Sequence, residues 1–162
     1  MKLHFGVLGP HSTTREQYQL GFKVGHCIAE ADAILFCGGL DGMMRAAAEG
    51  AKSAKGQTVG ILPSAEKKTA NEFIDIAIPS DLGAYRNALL VRSCDAVIAV
   101  HGEYGTLSEI TFALRLGIPV IGLNTWELSS NGKLDPGIHM THTPEEAVAR
   151  AIQLATKRQG QH

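Results

Sequence analysis

Residues 95–123 read DAVIAVHGEYGTLSEITFALRLGIPVIGL. An unbroken apolar run leads into a short loop flanked by Gly102 and Gly105. A helical pattern follows, closed by Gly117, and a second apolar run ends the stretch. Strand, helix and strand in this order make a βαβ unit. Its strands are apolar throughout rather than at alternate positions. Such strands are buried on both faces, as in a parallel sheet with helices on either side.

The same unit recurs on working outward. LHFGVLG (3–9), AILFCGG (33–39) and TVGILP (58–63) read as strands, and FIDIAIP (73–79) as a fourth with alternating apolar positions. Between them, residues 15–31 are amphipathic at helical spacing, with Tyr18, Phe22, Gly25, Ile28 and Ala29 on one face. Residues 42–56 form an alanine-rich helix stopped by Gly56, and 84–94 a further helix. Thr143, Pro144 and Glu146 carry the signs of a helix start, with the helix running to about Arg158 and RQGQH (158–162) as a frayed tail. The polar stretch 64–72 reads as a surface loop over the ligand site. The expectation is one α/β domain, 1–162: a doubly wound, mostly parallel Rossmann-like sheet with helices on both faces.

Composition narrows the function. The 162 residues are 44% hydrophobic and 19% charged, with formal net charge −1. These values fit a folded globular domain and argue against disorder. Without a basic stripe a nucleic-acid partner is disfavoured. The apolar runs fall short of a membrane helix, and MKLHFGVLGP reads as a first strand rather than a secretory signal. Cys27, Cys37 and Cys94 form no CxxC pair, and the seven histidines form no HxxxH or HExxH pair. No metal site is expected, and the thiols point to a reduced, cytoplasmic protein. HMTH (139–142) sits on a further strand, which would turn its two histidines to opposite faces.

In such a sheet ligands bind beyond the C-terminal ends of the strands. Three loops at that edge are unusual. GPHSTTREQ (9–17) offers Gly9, Ser12 and Thr13 to a phosphate, or else caps a helix. CGGLDGMM (37–44) offers Gly38, Gly39, Gly42 and Met44. Its order is GGxxG and no acid ends the next strand, which excludes an ordinary dinucleotide fingerprint. Close approach of backbone to ligand remains, beside a plain tight turn. In the third loop, Thr106 and Glu109 fit a capping box, while the helix amides behind Gly102 and Gly105 can face an anion. Arg86 precedes the strand that delivers this loop, and its guanidinium can return to the same edge to bind phosphate or carboxylate.

Three segments together carry a family resemblance: CGGLDGMMRAAAEGAKSAKGQTVGILP, AYRNALLVRSCDAVIAV and GEYGTLSEITFALRLGIPVIGL. Over about residues 3–124 the chain resembles the LONELY GUY (LOG) and molybdenum cofactor carrier superfamily, on the carrier side. Members of this superfamily often bear the label lysine decarboxylase, but no motif here calls for a pyridoxal phosphate lysine. The resemblance implies a Rossmann-like homodimer or homotetramer. The LOG members cleave nucleoside 5′-monophosphates to base and ribose 5-phosphate. Their motif Pro-Gly-Gly-x-Gly-Thr-x-x-Glu carries over to Gly102, Gly105, Thr106 and Glu109, with Arg86 as the upstream arginine.

His101, Glu103 and Asn87 depart from the hydrolases' proline, glycine and lysine. A carboxylate held about 4 Å from a phosphate costs roughly 4 kcal/mol per unit charge at an effective dielectric of about 20. Glu103 must therefore turn outward, pair with Arg86 or His101, or meet ribose hydroxyls. The candidate ligand-binding set is Gly9, Ser12, Thr13, Gly38, Gly39, Gly42, Met44, Gly102, Glu103, Tyr104, Gly105 and Thr106, with Arg86 and Glu109 as catalytic candidates. No cofactor is required, and the ligand is a nucleotide or molybdopterin. A phosphoribohydrolase, a non-catalytic carrier or sensor, and an oligomer with a vestigial site are the competing readings. The helix TFALRLG and the alanine-rich segment 46–54 offer surface for oligomerisation.

Overall fold

The computed structural model describes residues 1–161. In chain order the elements are β1 (His4–Leu8), α1 (Arg15–Glu30), β2 (Ile34–Cys37), α2 (Met43–Ser53), β3 (Thr58–Leu62), β4 (Ile76–Pro79), α3 (Arg86–Arg92), β5 (Ala96–Val100), α4 (Tyr104–Arg115), β6 (Val120–Leu123), β7 (Ser129–Ser130), β8 (Lys133–Leu134), β9 (Ile138–Thr141) and α5 (Pro144–Gln159). His162, the end of the expected tail, lies outside the described residues.

Seven strands pair in the order β4-β3-β2-β1-β5-β6-β9, and each pairing is parallel. This is the doubly wound α/β sheet that the apolar strands implied. Alternate residues feed two cores. Phe5, Val7, Leu35, Ile98 and Ile121 pack with α1, α2 and α5. Leu8, Phe36, Ile61, Val97 and Val120 pack with α3 and α4 on the other face. The direction in which successive strands are added to the sheet reverses between β1 and β5, so the loops after these two parallel strands diverge and leave a crevice at their C-terminal ends.

Small residues set the spacing of α1 against α2. A Cβ at Gly25 would overlap the Ala47 carbonyl, and one at Gly50 would overlap the Phe22 carbonyl. The buried stripe of α1 is accordingly Gly21, Val24, Gly25 and Ile28. Tyr18, Phe22 and Ala29, expected on the core face, are only half-buried. Helix–helix contact through glycines rotates the helix away from its bulkiest side chains.

Several boundaries differ from expectation for identifiable reasons. Residues 73–75 do not join β4. There the Asp75 carboxylate accepts from the Thr58 amide at 2.9 Å and the Thr58 hydroxyl donates to the Phe73 carbonyl at 2.6 Å. Helix α3 starts at Arg86, after a tight turn over Gly83–Tyr85. The loop 64–72 does not cover the crevice. It is mostly exposed, and Asn71 ties it to the carbonyls of Gly39 and Leu40. The short antiparallel β7–β8 hairpin carries no periodic signal in the sequence. Thr143 does cap α5, accepting from the Glu146 amide at 3.1 Å, but Glu146 reaches back to the His142 amide, one residue earlier than in a standard capping box.

Candidate functional site

The crevice is built where β1, β2, β5 and β6 deliver their loops. After β5 the chain turns sharply. His101 has φ +53 and Gly102 φ +125. A Cβ on Gly102 would stand 2.5 Å from the Thr106 side chain, so glycine is required twice over, for space and for backbone conformation. Two hydrogen bonds hold the turn: His101 N–H to the Leu123 carbonyl at 3.0 Å, and Thr125 hydroxyl to the His101 carbonyl at 2.5 Å.

The capping-box expectation for Thr106 is corrected here. Helix α4 begins two residues earlier, with Glu103 in the cap position in extended conformation. The Glu103 carbonyl accepts from the Leu107 amide at 3.0 Å. Thr106 is therefore the third helical residue, buried at 3% exposure, and no side chain caps the first turn. The steric demand of the Gly102 turn outweighed the local Thr-x-x-Glu pattern. Its consequence is an uncapped helix start, whose orphan amides and partial positive charge suit an anion.

Glu109 follows one turn along α4 and is 8% exposed. Arg86 opens α3 at 6% exposure, from the opposite wall. Its Nη1 lies 3.8 Å from Glu109 Oε1 and also bonds the Asn87 side-chain oxygen, while Nη2 donates to the Gly38 carbonyl at 3.4 Å. Arg86 Nε is buried and has no hydrogen-bond partner among the described residues. Burial lifts the Glu109 carboxyl to about 7, and the neighbouring guanidinium holds it back only in part. Burial lowers Arg86, and Glu109 opposes that shift. The pair thus presents a fixed cation beside an acid poised to gain or lose a proton near neutrality.

The crevice has two compartments. The inner one, about 80 Å³, is lined by Gly9, Gly38, Met44, Arg86, Gly105, Thr106 and Glu109, joined by Val7, Pro10, His11 and Asn87. The outer one, about 410 Å³, is lined by Ser12, Gly102, His101, Pro10, Gln17, Asn124, Thr125 and Trp126. Glu103 borders both. Its carboxylate is exposed and makes no ion pair among the described residues, neither with Arg86 nor with His101.

Four candidates stand elsewhere. Gly42 (φ +64) lets the loop after β2 lie against that after β1, where a Cβ would overlap the His11 carbonyl, and Met43 N–H donates to the Pro10 carbonyl at 3.0 Å. Gly39 packs on Leu62 and Gly60. Thr13 lines neither compartment. Thr14 next to it caps α1 in a full capping box with Gln17. Tyr104 is exposed and stacks on Trp126, ring centroids 5.9 Å apart. Sequence reasoning missed Asn124, Thr125 and Trp126. Their signal was position: they follow a buried parallel strand, so they share the edge of the other loops.

The sequence profile of the SLOG cluster4 family matches residues 2–148. The chain belongs to the SLOG cluster4 family. An uncharacterized protein of Archaeoglobus fulgidus is 42% identical to this SLOG cluster4 chain over 158 residues, 97% of this chain and all of that one. Among solved structures, the molybdenum cofactor binding protein of Rippkaea orientalis superposes with TM-score 0.86 at 32% identity, covering 95% of this chain and 98% of that one. The molybdenum cofactor carrier protein of Chlamydomonas reinhardtii superposes with TM-score 0.82 at 29% identity, covering 96% and 99%. The resemblance carried by the three sequence segments is thereby shown for the SLOG cluster4 chain, LOG-like fold included.

Proposed function

We propose that this protein binds a phosphorylated, nucleotide-like pterin, the molybdenum cofactor or its metal-free molybdopterin, and carries it without turnover. The observation that bears most weight is the buried Arg86 guanidinium, with Nε unpartnered among the described residues, facing an uncapped helix start across the inner compartment. A phosphate there meets a rigid cation and the amides at the start of α4. The Gly102 turn keeps side chains out of its way. The likeness to two molybdenum cofactor carriers over nearly the whole chain supports the choice of ligand. Asn87, where the LOG hydrolases have lysine, supports binding over turnover.

Titrating the purified protein with molybdopterin tests this. Binding is expected, and Arg86→Met is expected to weaken it by about a hundredfold or more, as for a charge-assisted contact in a desolvated site. Failure of the wild type to bind would overturn the reading.

Phosphoribohydrolase activity is the second reading, favoured by Glu109 beside Arg86 with a carboxyl near 7. In that chemistry Glu109 would activate water or stabilise positive charge developing on the ribose. Incubation with AMP, GMP, CMP and IMP, followed by chromatography for free base, separates the two. Release of base that is lost in Glu109→Ala would replace the carrier reading with the hydrolase.

The proposal includes a homo-oligomer in the cytoplasm. Leu89 on α3 and Phe112 on α4 remain 41% and 39% exposed on neighbouring helices, and support a contact between copies. The alanine-rich segment 46–54 gives no such support, because Ala46, Ala47, Ala48 and Ala51 are buried within the chain. The three cysteines are free thiols, in keeping with a reducing compartment. No described helix is long and apolar enough to cross a membrane.

A further inference from the structure

The outer compartment is the larger of the two and has a chemistry of its own. At about 410 Å³ it falls in the range of small-molecule sites, whereas the inner one at about 80 Å³ holds little more than an anionic group. Trp126 lines it, fixed by its Nε1–H donating to the Glu103 carbonyl at 3.3 Å and by stacking on Tyr104. A planar ring with its orientation held is a stacking platform for another planar ring. Glu103 lines both compartments, its side chain is exposed, and among the described residues its carboxylate oxygens accept no hydrogen bond and make no ion pair.

A free carboxylate selects by pattern. Its two oxygens accept two parallel N–H donors side by side. Among common heterocycles the 2-amino-4-oxo-pyrimidine edge, shared by pterins and guanine, presents a ring N–H beside an exocyclic amino group. Adenine and cytosine set an amino donor beside a ring acceptor, and uracil flanks its ring N–H with carbonyls. These meet the carboxylate with one donor at best and a repelled acceptor beside it. A phosphate at the same spot is repelled outright, which leaves the anionic end of a ligand to the Arg86 side.

We propose that the outer compartment is a heterocycle subsite in which Trp126 stacks on the ring and Glu103 accepts the two adjacent N–H groups of a 2-amino-4-oxo-pyrimidine edge. Preferring a pterin to a guanine as the bearer of that edge rests on the carrier reading above. The edge itself does not. Glu103 is thus a specificity residue, and its departure from the glycine of the LOG motif turns a phosphate loop into a two-part site.

Trp126 is the chain's one tryptophan, so its fluorescence reports on the subsite without labels. The full chain is titrated with 6-hydroxymethylpterin, with lumazine (an oxo group in place of the 2-amino group), and with guanosine and adenosine. Quenching by the pterin is expected, with lumazine and adenosine at least about tenfold weaker, the loss set by one charge-assisted hydrogen bond. Glu103→Gln is expected to weaken the pterin by at least about tenfold and to tighten lumazine, because an amide there offers one acceptor and one donor to lumazine's adjacent N–H and oxo groups. The exposed Glu103 side chain supports no packing, and the backbone carbonyl that holds Trp126 is kept, so this variant folds as the wild type does. Trp126→Ala, followed by calorimetry, is expected to weaken pterin and lumazine alike.

No quenching by the pterin, no preference over lumazine, or the same preference in Glu103→Gln would each overturn the subsite. Guanosine binding more tightly than the pterin would overturn the pterin as bearer while supporting the edge. Molybdopterin binding that is indifferent to Glu103→Gln would sink the subsite and leave the carrier reading standing. Glu103-dependent pterin binding without any molybdopterin binding would do the reverse.

Discussion

Glu109 and Arg86 show how one buried pair sets the behaviour of a site. The Glu109 carboxyl, ordinarily near 4.5, titrates at about 7 because burial outweighs the guanidinium 3.8 Å away. Between those two values the unfolded chain has released this proton and the folded chain keeps it. The pair's contribution to stability is therefore full below about 4.5, falls as pH rises through the window, and levels off above about 7. Urea unfolding of wild type against Glu109→Gln should show this as an excess downward slope present only in the wild type. Arg86→Met removes the one influence that lowers Glu109, so its carboxyl should titrate higher still, as carbon NMR of the side chain would report. An anion bound beside the pair acts in the same direction. Ligand affinity should fall as pH rises past 7, with a proton taken up on binding at that pH.

Helix starts and helix contacts decide where the loops sit. The α1–α2 contact depends on Gly25 and Gly50, each laid against a carbonyl of the other helix. Gly25→Ala would force the backbones apart, and backbone yields less readily than a side chain. A loss on the order of 1–3 kcal/mol is expected in the urea midpoint, despite alanine's higher helix propensity. Removing the α1 cap with Thr14→Ala should cost about 1 kcal/mol. The pattern Ser/Thr-x-x-Glu/Gln occurs at α1, α4 and α5, and its Ser/Thr caps α1 and α5 but not α4. Thr14 is exposed and free to turn its hydroxyl to the Gln17 amide, whereas Thr106 is already inside α4, packed against Gly102. The local pattern was legible in each place, and the chain turn that precedes each decided the outcome.

At the scale of the molecule, the proposed oligomer gives a direct measurement. Light scattering should return a dimer or tetramer mass, and Leu89→Glu with Phe112→Glu should reduce it to that of one chain. The doubly wound sheet was readable beforehand. Runs such as AVIAV and VIGL, apolar at every position, have no stable place except a parallel sheet covered on both faces, and their spacing leaves room for one helix each. The ligand edge was readable in part, because strand ends announce it: Gly9, Gly38, Met44, Gly102, Thr106 and Glu109 line the crevice from three separate loops. The fourth loop, with Asn124 and Trp126, lacked the glycines that draw attention and became visible only once β6 stood beside β5. Sequence by itself determined the secondary elements, the fold class and the family, since these follow from hydrophobic period and from motifs along the chain. The tertiary structure decided the partners of Arg86, the burial that lifts Glu109 and the split of the crevice into two compartments, because each depends on distances between residues far apart in sequence.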